Sequence, residues 1–299
     1  MTSADGSASP DDQRAAIELA AEPIAELVAA GHQVVLTHGN GPQVGNLLVK
    51  NELAAAVVPP VPLDWCGAQT QATIGVLVMN ALDAALARHG CRASTAALVS
   101  RTRVAVDDEG FACPAKPIGR YLPAAEAELM VAHGQHWQDR GDRGWRRVVA
   151  SPEPLDCVDA AAALVLIEAG YVVVCSGGGG IPVVEVGPRS FRGVEAVIDK
   201  DLTAALLAIS VSADRLIIAT DVERVVLGWG GEHARPLETV TVAELERHAA
   251  TGAFASGSMG PKVAAACRFV TGTGQQASIT SLARIAAALD GGGTTVRPG

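Results

Sequence analysis

The sequence predicts an α/β fold in three layers, with a mainly parallel sheet between two layers of helices. Three short apolar segments rich in β-branched residues indicate buried strands, and each is followed by a glycine-rich or polar turn: residues 33–37, 171–175 and 216–219. The first of these turns passes into a segment with helical apolar spacing. Strand, glycine turn and helix form the repeating unit of a parallel sheet, so these segments favour that architecture.

The composition limits the function classes. The 299 residues, of which 49% are hydrophobic and 18% charged, suffice for a large core. The net charge of −9 leaves no broad basic surface for nucleic acid or anionic lipid. No uncharged apolar run reaches the roughly 18 residues of a membrane helix, and we expect a cytoplasmic protein. The six cysteines lack paired spacing, so neither a zinc site nor a disulfide framework is predicted.

The first predicted element is a helix. Ser9 supplies its cap, Pro10 occupies the first helical position, and Asp12 stands where a capping box has its acidic side chain. Apolar residues then recur at helical spacing as far as Gly31. A buried strand over residues 33–37 follows, and the glycine turn behind it leads into the second helix.

The chain is predicted to be one domain, residues 1–299, made of two halves. The halves span residues 11–170 and 171–299. Within the first half, residues 101–154 combine short strand-like pieces with polar loops that contain Trp and Gly. That change of character predicts a small inserted lobe, which would lie over the cleft between the halves.

Two glycine-rich turns are candidate anion sites. They are Gly39-Asn40-Gly41 and Gly177-Gly178-Gly179-Gly180. A glycine turn between a strand and a helix brings backbone N–H groups and the helix dipole to one point, which suits phosphate or carboxylate. At the carboxyl ends of parallel strands, both turns would face the crevice where such sheets bind ligands. The alternative reading, that these glycines serve only tight packing, stays open.

The basic residues are unevenly divided, with 19 Arg and four Lys among the 23. The lysines are Lys50, Lys116, Lys200 and Lys262. In an arginine-rich chain, a retained lysine indicates a place that requires a compact ammonium group. Three of them lie in or beside turns, and Asp199 and Asp201 flank Lys200. Ammonium groups that converge on phosphate, oriented by a carboxylate, are typical of phosphoryl transfer. The P-loop and protein-kinase motifs are absent from the sequence.

Several longer motifs resemble the carbamate kinase family, which has the amino-acid kinase fold. The matching strings are residues 38–45, Leu63-Asp64 with Cys66-Gly67-Ala68 and Gln71, and residues 116–119, 151–154, 177–182, 193–201, 220–222 and 257–262. The resemblance runs from about Asp11 to the C-terminus. It implies an enzyme, a phosphotransferase with a carboxyl-type acceptor, that moves a phosphoryl group reversibly between carbamoyl phosphate and ADP. It also implies Mg²⁺ bound with ATP or ADP, a homodimer and a place in arginine metabolism.

The resemblance assigns roles to particular residues. The turns at Gly39, Asn40 and Gly41 and at Gly177, Gly178 and Gly179 would bind substrate. Lys116 would reach over the same site from the lobe, and Lys200 and Lys262 would contact the phosphoryl group in flight. Asp201 would hold those two lysines in place. The nucleotide-binding residues would be Thr220, Asp221, Val222, Met259 and Gly260, all in the half formed by residues 171–299, with residues 11–170 on the acceptor side.

One part of the sequence departs from the family pattern. Carbamate kinases resemble each other in opening with a short apolar strand and a Gly-Gly-Asn-Ala loop, whereas residues 1–6 here read Met-Thr-Ser-Ala-Asp-Gly. One explanation is that the coding start lies further upstream. The other is a non-catalytic relative that binds nucleotide or phosphate. A different acid kinase of the same fold is a further alternative.

Overall fold

A computed structural model describes residues 9–132, 134–231, 233–254 and 259–299. The α-helices of this part are Pro10–Ala29 (α1), Gly41–Ala54 (α2), Leu63–Arg88 (α3), Glu109–Ala112 (α4), Ala124–Ala132 (α5), Ala160–Glu168 (α6), Lys200–Ser210 (α7), Val242–Ala250 (α8) and Met259–Thr273 (α9). Short 3₁₀ turns cover Gly141–Arg143, Gly177–Gly179, Leu282–Arg284 and Ala286–Asp290.

The strands follow these helices, singly or several in succession. They are Val35–Leu36 (β1), Thr95–Ala97 (β2), Arg101–Arg103 (β3), Lys116–Leu122 (β4), His136–Asp139 (β5), Trp145–Val149 (β6), Asp156–Cys157 (β7), Val172–Val174 (β8), Ile181–Gly187 (β9), Ser190–Gly193 (β10), Arg215–Thr220 (β11), Val226–Leu227 (β12), Arg235–Pro236 (β13), Thr239–Thr241 (β14), Gln276–Ser281 (β15) and Thr294–Arg297 (β16). The fold is α/β with parallel sheets, as the sequence predicts.

Helix α1 begins where its capping residues predict. The Ser9 side chain accepts a hydrogen bond from the Asp12 N–H at 3.2 Å, and Pro10 is the first helical residue. The helix continues through Pro23 to Ala29. Its buried residues, which include Ile17 and Ala21, pack against α3, so α1 is anchored by apolar burial along one face.

The first sheet is three-stranded and parallel. Its order is β1-β8-β2, with Val35 opposite Val173 and Ala96 also opposite Val173. All three residues of β8 are buried, which is typical of a strand covered on both faces. The predicted strands over residues 33–37 and 171–175 therefore exist, each shorter than its apolar run.

The second sheet has four strands in the order β11-β15-β16-β14. Strands β11 and β15 are parallel over six residue pairs, from Arg215 with Gln276 to Thr220 with Ser281. Helices α7, α8 and α9 pack on this sheet around the fully buried Phe269 and Leu245. The predicted strand over residues 216–219 is the centre of β11.

Strands β1 and β11 of this α/β fold lie in these two different ladders. Among the described strands, β1 pairs only with β8, and β11 pairs only with β15. Between the free edges of β1 and β11 lies a groove of about 1320 Å³. We call it the strand groove, since two strands form its long walls.

The inserted lobe is narrower than its predicted bounds of 101–154. Its antiparallel sheet, in the order β4-β6-β5, covers Lys116 to Val149 and packs with α5 around Trp137. Strand β3, at Arg101–Arg103, instead pairs with β9 and β7 in a different sheet. The lobe contacts the body through β4, which lies on α2.

Helix α3 is long and apolar enough to cross a membrane by length and composition alone. This helix was not predicted from the sequence, because glutamine, threonine and asparagine interrupt its apolar run. In the structure α3 packs on α1 and β2, and Ile74 and Leu82 on its inner face are fully buried. A core helix of a globular fold has these same properties.

Candidate active site

One buried carboxylate connects two lysines. Asp201 accepts a hydrogen bond from Lys200 Nζ on Oδ1 at 2.8 Å and another from Lys262 Nζ on Oδ2 at 2.9 Å. Asp201 and Lys262 are only 8% and 9% exposed. Each ammonium group has three N–H donors and uses one on Asp201, so the others remain available to an anionic ligand.

The first turn of α7 positions this cluster. Asp199 caps the helix, because its Oδ1 accepts from the backbone N–H of Asp201 at 2.9 Å and of Leu202 at 3.4 Å. Lys262 comes from α9, whose neighbouring residues Val263 and Ala266 are buried in the core that α7 shares. The packing of α9 on α7 therefore places the Lys262 side chain next to Asp201.

The charges in the cluster shift its pKa values. Burial alone would raise the pKa of Asp201, but the ammonium groups of Lys200 and Lys262 outweigh burial and hold that pKa below its ordinary value. Burial, followed by the nearby charge of Lys200, lowers the pKa of Lys262 although Asp201 acts in the opposite direction. Asp201 is therefore an anion at neutral pH.

A second carboxylate holds the third lysine. Lys116, the first residue of β4 in the lobe, donates from Nζ to Asp199 Oδ2 at 3.2 Å. Asp199 thus caps α7 with one oxygen and binds the lobe with the other. This role of Asp199 was not predicted, because only the fold brings Lys116 to the cap of α7.

The first glycine turn contacts the lysine cluster. A Cβ atom at Gly39 would lie 3.1 Å from Lys200 Cδ, so glycine permits the close approach of that side chain. Helix α2 begins at Gly41, and the first backbone N–H groups of a helix have no partner within it. This turn therefore presents the donors and the positive helix end that the sequence predicts for an anion site.

The four-glycine turn packs against the first turn. The Gly178 N–H donates to the His38 carbonyl at 2.6 Å, and the Gly179 N–H donates to the Ser176 carbonyl at 3.1 Å. A side chain at Gly178 would overlap Asn40, and φ is +69° there. These two N–H groups are used inside the protein, so for Gly178 and Gly179 the structure supports the packing alternative rather than a phosphate cradle.

Two buried side chains hold the four-glycine turn in place. Gln71 on α3 donates to the Gly177 carbonyl at 2.8 Å and to the Ser100 carbonyl at 3.1 Å, and it accepts from the Ser100 N–H at 2.8 Å. Thr203 on α7 donates to the Gly179 carbonyl at 3.1 Å. The turn is thereby connected to α3 on one side and to α7 on the other.

His38 lies between the two turns and was not among the predicted site residues. Its Nδ1 is 3.1 Å from the Gly39 carbonyl oxygen, and a Cβ atom at Gly177 would overlap its ring. Burial lowers the pKa of His38, so the imidazole is neutral at neutral pH. It adds no charge beside the lysine cluster. The sequence signal that could have identified His38 as a site residue is its position directly before Gly39.

A cavity of about 600 Å³ lies under the lobe, next to the glycine turns. Polar groups in its wall come from Asn40 and Lys116, and apolar groups come from Val44, Ile118 and Ile198. Its volume is in the range of small-ligand sites, which hold a few polar groups in a mostly apolar wall. Helix α2 and strand β4 therefore form two walls of a cavity that Lys116 borders.

The predicted nucleotide residues lie at two places. Thr220 ends β11 and borders the strand groove together with Lys200 and Asp201, and its hydroxyl donates to Asp221 Oδ1 at 3.0 Å. Val222 follows in the loop after β11. Met259 and Gly260 begin α9, one turn before Lys262. Gly257 and Ser258 of the string that matches the family lie outside the described residues.

The described residues contain no group of three or more His, Cys, Asp or Glu side chains that could hold a metal ion. The nearest carboxylates, Asp199 and Asp201, are already bound to lysines. Any divalent cation at this site would therefore be carried chiefly by substrate phosphates, which is how Mg²⁺ is commonly bound in kinases.

Three lysines on two carboxylates, beside a helix N-terminus and a small cavity, define a site that neutralises and positions phosphoryl groups. The protein is a phosphotransferase of this type. The family model "Amino acid kinase family" matches residues 4–281, and the chain belongs to that family.

Within that family the chain is similar to carbamate kinases. It is 41% identical to the carbamate kinase of Pyrococcus horikoshii over 96% of this chain and 93% of that protein. It is also 41% identical to the carbamate kinase-like protein YqeA of Escherichia coli, over 97% and 96%. The structure of Giardia lamblia carbamate kinase bound to AMP-PNP superposes with a TM-score of 0.94 at 39% identity, covering 100% of this chain and 95% of that one.

We expect that Gln71→Leu lowers the free energy of unfolding by about 2–4 kcal/mol, because it leaves buried groups at Ser100 and Gly177 without their partner. Gln69→Leu on the exposed face of the same helix is the matched control, with an expected change within about 0.5 kcal/mol. Urea unfolding followed by circular dichroism measures both. Equal stability of the two variants would contradict this role of Gln71.

Proposed function

We propose that this chain is a carbamate kinase that transfers a phosphoryl group reversibly between carbamoyl phosphate and ADP. The observation that carries the proposal is the Lys200–Asp201–Lys262 cluster, completed from the lobe by Lys116 on Asp199. The similarity to carbamate kinases over nearly the whole chain supports the same acceptor.

In the proposed reaction, a β-phosphate oxygen of ADP attacks the phosphorus of carbamoyl phosphate. The new P–O bond gives ATP, and the P–O bond to the carbamoyl group breaks with its electron pair leaving on carbamate. No proton is transferred in this step, so the protein needs no general base. Its task is to hold two anions together and to neutralise the charge on the transferred group.

The lysines divide this task. Lys200 and Lys262, fixed by Asp201, direct their remaining N–H donors at the phosphoryl group between the two substrates. Lys116 approaches from the lobe side, where the cavity accepts the carbamoyl group. The first amide groups of α2 add donors at Gly41. ADP enters as its Mg²⁺ complex, bound beside Thr220, Asp221, Val222, Met259 and Gly260.

The direct test is a coupled assay of ATP formation from MgADP and carbamoyl phosphate. The expected result is ATP production that depends on both substrates and on enzyme concentration. Binding of MgADP in calorimetry without ATP formation would contradict the proposal and indicate a binding protein. ATP formation from acetyl phosphate but not from carbamoyl phosphate would indicate a different acid kinase.

Lys200→Ala and Lys262→Ala should each lower kcat by about 100-fold or more, because each removes a charge that acts most strongly in the transition state. Arginine at either position should restore activity only in part, since its planar group places the charge differently. Lys50→Ala is the matched control: Lys50 is exposed on α2 and should leave kcat unchanged. Near-normal kcat in either site variant would refute the assigned roles.

Asp199→Asn should lower kcat/KM for carbamoyl phosphate by about tenfold, because a charge-assisted bond to Lys116 is lost. Asparagine caps a helix as well as aspartate, so the start of α7 and the melting temperature should be retained. Glu238→Gln, which breaks a surface ion pair with Arg224, is the control. Unchanged kcat/KM would show that Asp199 acts only as a cap.

The pH profile should show the lowered pKa of Lys262. The charged form of Lys262 is required for activity. Lys262 loses its proton as pH rises through a pKa below the usual lysine value of about 10.4. A plot of kcat/KM against pH reports groups of the free enzyme, so its alkaline limb should fall below that value. The Lys262→Arg variant should lack this limb. A limb at or above pH 10.4 would contradict the assignment.

We further propose a homodimer that uses the outer face of α3. Trp65 and Val76 are 60% and 51% exposed there, on one helical stripe with exposed Ala72. Large apolar side chains exposed together are typical of contact surfaces. Sedimentation should give about twice the chain mass of 30.5 kDa, and Trp65→Glu should give the monomer. A monomeric unmodified chain would contradict the dimer.

Three broader expectations complete the proposal. The acidic charge supports small-molecule substrates rather than nucleic acid or membrane partners. A cytoplasmic location, expected from the sequence, and a place in arginine metabolism, implied by the resemblance, stay predictions.

A further inference from the structure

His38 is a partly buried side chain beside the lysine cluster that the proposed reaction does not use. Its ring lies against the four-glycine turn. A Cβ atom at Gly177 would lie 2.3 Å from His38 Nε2, so only glycine leaves room for the ring there. The Gly178 N–H donates to the His38 carbonyl at 2.6 Å. The four-glycine turn therefore fixes both the ring and the main chain of His38.

The neutral imidazole of His38 has a single N–H, and the geometry assigns the nitrogen that carries it. Nδ1 lies 3.1 Å from the Gly39 carbonyl oxygen. A carbonyl oxygen only accepts hydrogen bonds, so Nδ1 carries the proton and donates it. Nε2 is then an acceptor on the side of Gly177. His38 thus binds the carbonyl of the peptide group that joins Gly39 to Asn40.

This hydrogen bond orients the peptide group between Gly39 and Asn40. The peptide is planar and trans, so its N–H points in the direction opposite to its carbonyl. With the carbonyl held at His38, the Asn40 N–H points away from the His38 ring. This N–H has no hydrogen-bond partner among the described residues. Asn40 also borders the cavity under the lobe, as Lys116 does, so a ligand bound there can use the free donor.

The glycine at position 39 makes this hydrogen bond important. Glycine is needed there because a Cβ atom would lie 3.1 Å from Lys200 Cδ. Glycine also has the widest backbone freedom of any residue, so the peptide group after Gly39 could rotate and direct its N–H elsewhere. On the other side, the Asn40 carbonyl accepts from the Val44 N–H at 2.9 Å and is fixed by α2. The bond from His38 removes the freedom that remains at Gly39.

We propose that His38 is a positioning residue for phosphoryl transfer: its Nδ1–H holds the Gly39 carbonyl so that the Asn40 N–H is directed at the phosphoryl group. The inference rests on the proposed function, which supplies the ligand of this N–H. A donor that is fixed before the reaction stabilises the charge of the transition state without reorganisation. His38 itself contacts neither substrate and transfers no proton. Gly177 contributes by leaving room for the ring.

The kinetic test compares three substitutions of His38. Asparagine has an amide N–H near the place of Nδ1, glutamine has one near the place of Nε2, and alanine has neither. His38→Ala and His38→Gln should lower kcat about 10- to 100-fold, because a misdirected donor costs less than the roughly 100- to 1000-fold of a lost one. His38→Asn should keep kcat within about threefold. KM for MgADP should be the same in all three.

Two further variants complete the kinetic test. His32→Ala, at an exposed histidine, is the control and should leave kcat unchanged. Gly177→Ala should displace the ring and lower kcat as His38→Ala does, and the double variant should lose no more than either single variant. Thermal melting verifies that each variant is folded. Unchanged kcat in His38→Ala, equal losses in His38→Asn and His38→Gln, or losses that multiply in the double variant would overturn the proposal.

Nuclear magnetic resonance of the ¹⁵N-labelled chain separates this proposal from the proposed function, since it requires no phosphoryl transfer. The imidazole signals of His38 should show a neutral ring with the proton on Nδ1. Titration with inorganic phosphate should shift the Asn40 amide signal in the original chain and in His38→Asn, but not in His38→Gln. A proton on Nε2, a charged ring, or equal shifts in both variants would overturn the proposal even in a chain that forms ATP. The expected signals in a chain that forms no ATP would refute the proposed function and support the effect of His38 on the donor.

Discussion

Two ammonium groups can remain close together inside this protein because one carboxylate stands between them. Lys200 and Lys262 both bind Asp201, and two of these three side chains are buried. Without that anion, the like charges would repel each other and burial would favour loss of a proton. Asp201 lies in the first turn of α7, and the Asp199 cap fixes the residue at which α7 begins. The core around Phe269 holds α9 against α7. The site therefore depends on this packing as much as the fold does.

The same turn of α7 also contacts the lobe and the turn after β1. Asp199 reaches the lobe through Lys116, while Lys200 contacts the turn after β1 through Gly39. The four-glycine turn supports this arrangement from behind, since Gln71 and Thr203 bind its carbonyls. Small shifts of that turn would move the first turn as well, because Asn40 packs directly on Gly178. The glycines of this turn thus affect the site by fixing where the first glycine turn lies.

The sequence was informative wherever function depended on local pattern. The cap at Ser9, the strands around Val173 and Ile217 and the scarcity of lysine could all be interpreted residue by residue. Asp199 and Gln71 lie in motifs that match the family, but their roles were not predicted, since their partners are 83 and 106 residues away and only the fold brings them together. The purpose of the glycines stayed ambiguous for a related reason: whether an N–H is free depends on the neighbouring turn. The strand groove lies between two sheet edges, and no local pattern encodes a gap between strands that are distant in the chain.

The claim that this site moves phosphoryl groups between two anions is tested most directly by ³¹P nuclear magnetic resonance of the protein with MgADP and carbamoyl phosphate. The account requires that the carbamoyl phosphate signal decreases as the γ-phosphate signal of ATP grows in equal amount, and that both signals are present at equilibrium. Appearance of inorganic phosphate beyond the uncatalysed rate, with no γ-phosphate signal, would show that the lysine cluster does not pass the group to ADP and would contradict it.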